Sequence, residues 1–158
     1  MTTKAEAAIV IRNLKGIKIN SEGRNGLFWY FSPTTAGELR YDNSEKVLSI
    51  FLGSQNDNLS LTKIADVYGF PDYLKPYDCR EGHCAVFLIY LELGMVLEAF
   101  VENKSEHLDS NEIAQIDISP QTTVGKVYFY EPETDQFESF YSHHSGFLAV
   151  WKGYGRYP

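Results

Sequence analysis

Cys79, His83 and Cys84 stand together in the run DCREGHC, the densest grouping of thiol and imidazole side chains in the chain. Thiolates and imidazoles are the usual ligands of zinc, and His143 and His144 are available to complete a set from elsewhere. Structural zinc, however, wants two well-spaced ligand pairs, and Cys-x4-Cys with one intervening histidine is not such a set. The same spacing, with Gly82 inside it, permits a disulfide closed across a turn. Spacing does not fix a Cα separation, so a bridge and a pair of reduced thiols both stand. No metal or other cofactor is expected.

Other pairings carry less. Glu92 with Glu98, or Asp135 with Glu138, would be paired carboxylates only if the fold set them across a cleft. Ser142 or Ser145 beside His143 or His144 lacks the third partner of a nucleophilic triad. Adjacent histidines in a polar stretch, with His107 in another, read as solvated surface. Nucleophile-elbow, phosphate-loop and metalloprotease patterns are absent, and Gly153-Tyr154-Gly155 has no strand-to-helix context. A small enzyme or metal-dependent protein would therefore have to use the Cys79/His83/Cys84 turn. Catalytic residues are not expected.

Composition points to recognition or to packing. Aromatic residues make up 15% of the 158 residues, with 11 Tyr and 10 Phe. Rigid rings offer large contact area at low entropy cost, and they also simply fill half-buried strands. Candidate contact residues are Tyr30, Tyr41, Tyr128, Tyr130, Tyr141, Trp151, Tyr154 and Tyr157. The net charge of −7 would repel a polyphosphate backbone, so no nucleic-acid partner is expected; a protein partner, basic if anything, suits it better. The acidic balance is also a hint of an inhibitor or immunity-type protein. No apolar run approaches the ~20 residues of a membrane span. The N-terminal run MTTKAEAAIVIRNLKG has neither the apolar core nor the cleavage site of a signal peptide. Two explanations compete: a cytoplasmic protein, or an envelope or secreted one whose export segment was removed.

The elements that must position these residues read as an α+β fold, mainly antiparallel β-sheet with one or two short helices packed on it. One domain over 1–158 is expected, with 1–53 and 59–151 as its alternative sub-units. Thr3 to Lys15 reads as a short helix stopped near Gly16, and Ser21 to Gly26 as a loop. Strands follow at Leu27–Ser32, Glu38–Tyr41 and Lys46–Leu52, with turn chemistry at Asp42-Asn43-Ser44. Ser60 is a natural N-cap, Leu61, Ile64, Ala65 and Tyr68 form one helical stripe, and Gly69 with Pro71 ends it. Tyr73 to Glu81 reads as a loop around Pro76. Cys84–Leu91, apolar on both faces, predicts a central strand, and Met95–Val101 its hairpin partner. Glu98 interrupts that second run and is expected to face solvent, because an isolated buried carboxylate is costly. Glu102 to Glu112 reads as a loop. Further strands are expected at Ile113–Ile118, Val124–Tyr130, Gln136–Tyr141 and Phe147–Trp151, before an irregular tail.

The segment LSLTKIADVYGFPDYL and the hairpin after it resemble the helix, Gly-x-Pro, sheet unit of two families. These are the small outer-membrane assembly lipoproteins of the SmpA/BamE type and the β-lactamase inhibitor proteins. Leu61, Ile64, Gly69, Pro71 and the apolar run from Val86 carry the resemblance. The segment is also similar to bacterial proteins of unknown function with a YGxPDY element before a YxxxG hairpin, matched by Tyr68, Gly69, Pro71, Asp72, Tyr73, Tyr90 and Gly94. The resemblance covers about residues 59–100, implies a binding role in the envelope, and transfers no functional residue. The expectation is a non-enzymatic binding or protein-interaction module.

Overall fold

A computed structural model describes residues 3–23, 25–54, 59–80, 82–103, 116–132, 134–142 and 148–157. In chain order the elements are α1 (Lys4–Asn13), β1 (Lys18–Glu22), β2 (Gly26–Ser32), β3 (Thr35–Tyr41), β4 (Val47–Ser54), α2 (Leu61–Tyr68) and β5 (Tyr73–Arg80). Then come β6 (Gly82–Tyr90), β7 (Met95–Asn103), β8 (Ile116–Ile118), β9 (Thr123–Tyr130), α3 (Asp135–Ser142), β10 (Ala149–Val150) and β11 (Gly155–Tyr157). The strands form one antiparallel sheet in the order β1-β2-β3-β4-β9-β7-β6-β5-β10, with β8 beside β7 and β11 beside β8. This is the expected α+β class. Two meanders, β1–β4 and β5–β7, are stitched together by β9, whose rungs with β4 run from Ser49↔Tyr130 to Gly53↔Lys126.

One face of the sheet is apolar from end to end. Leu27, Leu39, Ile50, Phe129 and Met95 follow one another across five strands, and Trp29, Gly37, Leu52, Val127, Leu97 and Leu88 form the next row. Gly37 is required there, because a Cβ would fall on the indole of Trp29. Helix α1 covers the β2–β3 end through Ala7, Ala8 and Ile11, and α2 covers the β6–β7 end through Leu61 and Ile64. Thr3 and Glu6 close a capping box on α1, each side chain accepting the other's backbone N–H. Ile9, on the other side of α1, faces solvent.

Helix α2 begins after Ser60 as expected, but Ser60 makes no side-chain cap bond. Its leading N–H groups donate to the carbonyls of Thr122 and Pro120 instead, at 2.9 and 3.1 Å. A neighbouring turn has taken over the cap. Gly69 ends the helix at φ 79°, and Tyr68, expected on the buried face, is exposed.

Several expectations need correction. Ser21 and Glu22 belong to β1, an all-exposed edge strand held by backbone pairing with β2 and by an ion pair from Arg12 to Glu22, which leaves no apolar signature. Tyr73 to Arg80 is strand β5, not a loop. Pro76 is accommodated because β10 pairs only with Tyr73 and Leu74, so the missing N–H falls on an open edge, beside a bulge that leaves Tyr77 unpaired. Gln136 to Tyr141 lies in helix α3, where Phe137, Phe140 and Tyr141 make a buried i, i+3, i+4 stripe and Thr134 caps the first turn. A bulge opposite Glu98 and Ala99 turns Val124 onto the apolar face, breaking the simple alternation with Lys126. The tail is not irregular: β11 pairs with β8, and Tyr157 is a core residue whose hydroxyl donates to Gly153 and accepts from Lys152 N–H. Of the Phe147–Trp151 segment only Ala149–Val150 is strand, and Phe147 lies outside the described residues, as does most of Glu102–Glu112. Among the described residues no helix is long and apolar enough to cross a membrane.

Candidate functional site

The second face of the sheet is covered only in part. Helix α3 lays Phe137, Phe140 and Tyr141 over Phe87, Ile89 and Val96. Beyond α3, from β9 to β1, no helix covers this face among the described residues. Three cross-strand rows run over it. One is Tyr30, Ala36, Gly53, Lys126 and Glu98; the next is Phe28, Glu38, Phe51 and Tyr128; the third is Gly26, Arg40, Ser49 and Tyr130. Each strand contributes at i and i+2, as the pleat dictates.

Two hollows open on this face and share Glu38 and Arg40. The smaller, about 170 Å³, is lined by those two residues with Ser49, Phe51, Lys126, Tyr128 and Tyr130. The larger, about 360 Å³, continues past Phe28 and Gly26 to Ser21 and Glu22 on β1. Together they make a trough running across the strands and ending against α3, where Phe140 packs 5.2 Å from the Tyr130 ring. Phe51 lies down over Gly53, whose missing Cβ would stand 2.6 Å from the ring, and its centroid is 5.2 Å from that of Tyr128. Phe28 and Tyr30 remain exposed at the far end.

Charge on this face is paired. Arg40 Nε and Nη2 donate to the two carboxylate oxygens of Glu38 at 2.6 and 3.2 Å, and that bond raises the guanidinium pKa. Glu98 corrects the expectation of a solvent-facing carboxylate: it is 4% exposed. It escapes the cost of isolation because Lys126 Nζ donates to it at 2.7 Å and the Tyr128 hydroxyl at 3.1 Å. Burial, reinforced by this carboxylate, raises the pKa of both Tyr128 and Tyr77. Burial likewise pushes Tyr130 up to about 12. Ser49, only 6% exposed, lines the smaller hollow beside Tyr130, its cross-strand partner.

The aromatic residues singled out from sequence are divided by the fold. Tyr128, Tyr130 and Tyr141 share the α3 face, and Tyr30 lies at its open end. Trp151, Tyr154 and Tyr157 form a separate group with Phe70 against the opposite, apolar face, with Trp151 stacked on Phe70 and on Tyr157. Tyr41 is buried under α1. Cys79 and Cys84 sit opposite one another in the β5–β6 ladder, Cα atoms 4.0 Å apart, and are joined as a disulfide on the apolar face. His83 is exposed beside them and lines neither hollow. His107, His143, His144 and Ser145 lie outside the described residues, and among the described ones no three metal-ligating side chains converge. Asp135 and Glu138 occupy the first turn of α3, and Glu92 the β6–β7 turn. Sequence reasoning missed Phe28, Glu38, Arg40, Ser49, Phe51 and Lys126. Their i, i+2 spacing was visible; the register that aligns them was not. No family model, curated protein or solved structure matches the chain.

Proposed function

We propose that the protein is a non-enzymatic binding module whose ligand lies in the trough across β1, β2, β3, β4 and β9. The observation that carries this reading is the pair of adjoining hollows, about 170 and 360 Å³, where the rings of Phe28, Phe51, Tyr128 and Tyr130 stand beside the polar groups of Arg40, Ser49 and Lys126 on the part of the sheet face that α3 leaves open. Concave sites that set a few polar groups among ring surfaces are the usual form of a small-ligand pocket. Binding rather than catalysis fits the chemistry. All three carboxylates of the trough, Glu22, Glu38 and Glu98, are committed to ion pairs, and among the described residues no histidine or cysteine lines it. The Cys79–Cys84 bridge suits an oxidising compartment, and with it an envelope or secreted protein.

A thermal-shift screen of the full chain against small sugars, amino acids and short peptides tests the reading. Any compound that binds only the native state raises the midpoint by mass action. The expected result is that stabilisation by a hit is lost in Ser49→Ala and Tyr130→Phe and kept in Phe70→Ala, on the opposite face. Hits indifferent to Ser49 and Tyr130 but abolished by Phe70→Ala would overturn it, and would favour a protein partner at the Phe70, Trp151 and Tyr154 cluster.

A further inference from the structure

Resting on that reading, we infer that the ligand is an uncharged carbohydrate chain lying across the strands. The first reason is electrostatic. The trough carries Arg40 and Lys126 against Glu38 and Glu98, each cation already bonded to a carboxylate, and its third carboxylate, Glu22, is bonded to Arg12 of α1, so it offers no unpaired charge to an ion. A phosphate or polyanion brought to either cation would approach a carboxylate as well. A polyol gains from the same pairs, because a bonded guanidinium and carboxylate present donors and acceptors side by side to neighbouring hydroxyls.

The second reason is the attitude of the rings. Phe51 leans over Gly53, its Cζ 2.6 Å from where a Cβ would be, and Phe28 leans to Gly26, with its ring 3.5 Å from where a Cβ would be. Rings that lean over a glycine leave a π-face toward the trough, onto which the C–H face of a pyranose can settle while its equatorial hydroxyls point outward to polar neighbours. Ser49 and Tyr130 supply hydroxyls at one end of this row, and Ser21, Glu22 and Asn25 a polar margin at the other.

Length and direction agree. Five strands, β1 to β9, span about 19 Å at the usual strand spacing, room for about four sugar rings. An extended peptide suits the trough less well. Its amide groups gain most by adding to a sheet edge, and the middle of a paired sheet has no free backbone group to offer.

The experiment is calorimetric titration of the full chain with neutral hexasaccharides of glucose, xylose, mannose and N-acetylglucosamine, with a hexauronate and an acidic hexapeptide alongside. At least one neutral hexasaccharide should bind, its disaccharide more than tenfold weaker, with affinity unchanged between 50 and 500 mM salt. Phe28→Ala and Tyr30→Ala, both at exposed positions, should each weaken binding about tenfold. Tyr130→Phe, which leaves the ring packing intact, should weaken it about three- to tenfold. Binding only by the hexauronate or the peptide, with a steep salt dependence and loss in Tyr130→Phe, would overturn the carbohydrate inference and leave the binding face standing. Binding of a neutral sugar that ignores all three substitutions would overturn both. No binding of any neutral hexasaccharide at millimolar concentration would overturn the inference alone, since the broader screen tests the face independently.

Discussion

Replacing Lys126 by methionine should cost about 2–3 kcal/mol of folding free energy, although the lysine is half in water. The reason is where the penalty falls. In the Lys126–Glu98 pair the lysine side chain is 42% exposed and the glutamate 5%. Removing one partner of a buried pair costs about 3–5 kcal/mol when the survivor is left with nothing. Here Glu98 keeps the Tyr128 hydroxyl at 3.1 Å, which lowers the figure without abolishing it. Glu98→Leu takes away the buried charge itself. Lys126 can then turn to solvent, and the loss is chiefly the hydrogen bonding of Tyr128 and Tyr77 to the carboxylate, about 1–2 kcal/mol. The double variant should resemble Glu98→Leu, giving a coupling of about 2 kcal/mol in the mutant cycle. Urea unfolding at pH 7 measures all three, with an unchanged slope showing that only stability has moved. At this chain length Lys126→Met should lower Tm by about 5–10 °C. Raising salt to 0.5 M should leave the gap nearly constant, because a buried charge is poorly screened. A cost below about 0.5 kcal/mol for Lys126→Met, or costs that simply add in the double variant, would refute this account of how the sheet tolerates Glu98.

Gly37→Ala should destabilise by about 2 kcal/mol and shift tryptophan emission, since the new methyl displaces the Trp29 indole; an unaltered spectrum and midpoint would show that the ring does not need the space. Cys79→Ser with Cys84→Ser should cost about 2 kcal/mol, the small-loop limit of the cross-link effect, and reduction of the wild type should reproduce it in urea. Tyr130 holds its proton more tightly when folded, so its contribution is complete below pH 10 and is lost as pH rises from about 10 through about 12. Stability measured across that window should fall less steeply in Tyr130→Phe, and identical profiles would contradict the burial of the phenol.

What sequence made legible was local. Helix α2 could be read from an apolar pair, a capping position and a Gly-x-Pro stop, all within one short stretch. The β6–β7 hairpin was equally plain, because a strand covered on both faces must be apolar throughout. Segments whose structure is imposed from outside were misread. Strand β1 exists because β2 offers it a backbone edge, and β5 survives Pro76 because nothing pairs with that side of it. Helix α3 carries so many rings that propensity alone suggests a strand, while its i, i+3, i+4 stripe matters only once the sheet it covers is known. Half of the expected aromatic surface went astray for a similar reason: Tyr157 serves the core and ties its own turn.

Composition and periodicity therefore determined that this chain would be an antiparallel sheet with short helices, and where its most apolar strands would lie. Tertiary structure alone decided that β9 passes between the two meanders. That choice sets Lys126 beside Glu98 and lines Ser49 up with Tyr130. The residues of the trough come from β1, β2, β3, β4 and β9, and β4 and β9 lie far apart in sequence, at Val47–Ser54 and Thr123–Tyr130. Each strand's pleat assigns its side chains to alternate faces, but only the register between strands brings them into rows. A one-residue slip of β9 would return Lys126 and Tyr128 to the apolar face and dissolve the site. Burial of Val127 and Phe129 against α2 and its neighbours prevents that slip, so the hydrophobic face fixes the geometry of the open one.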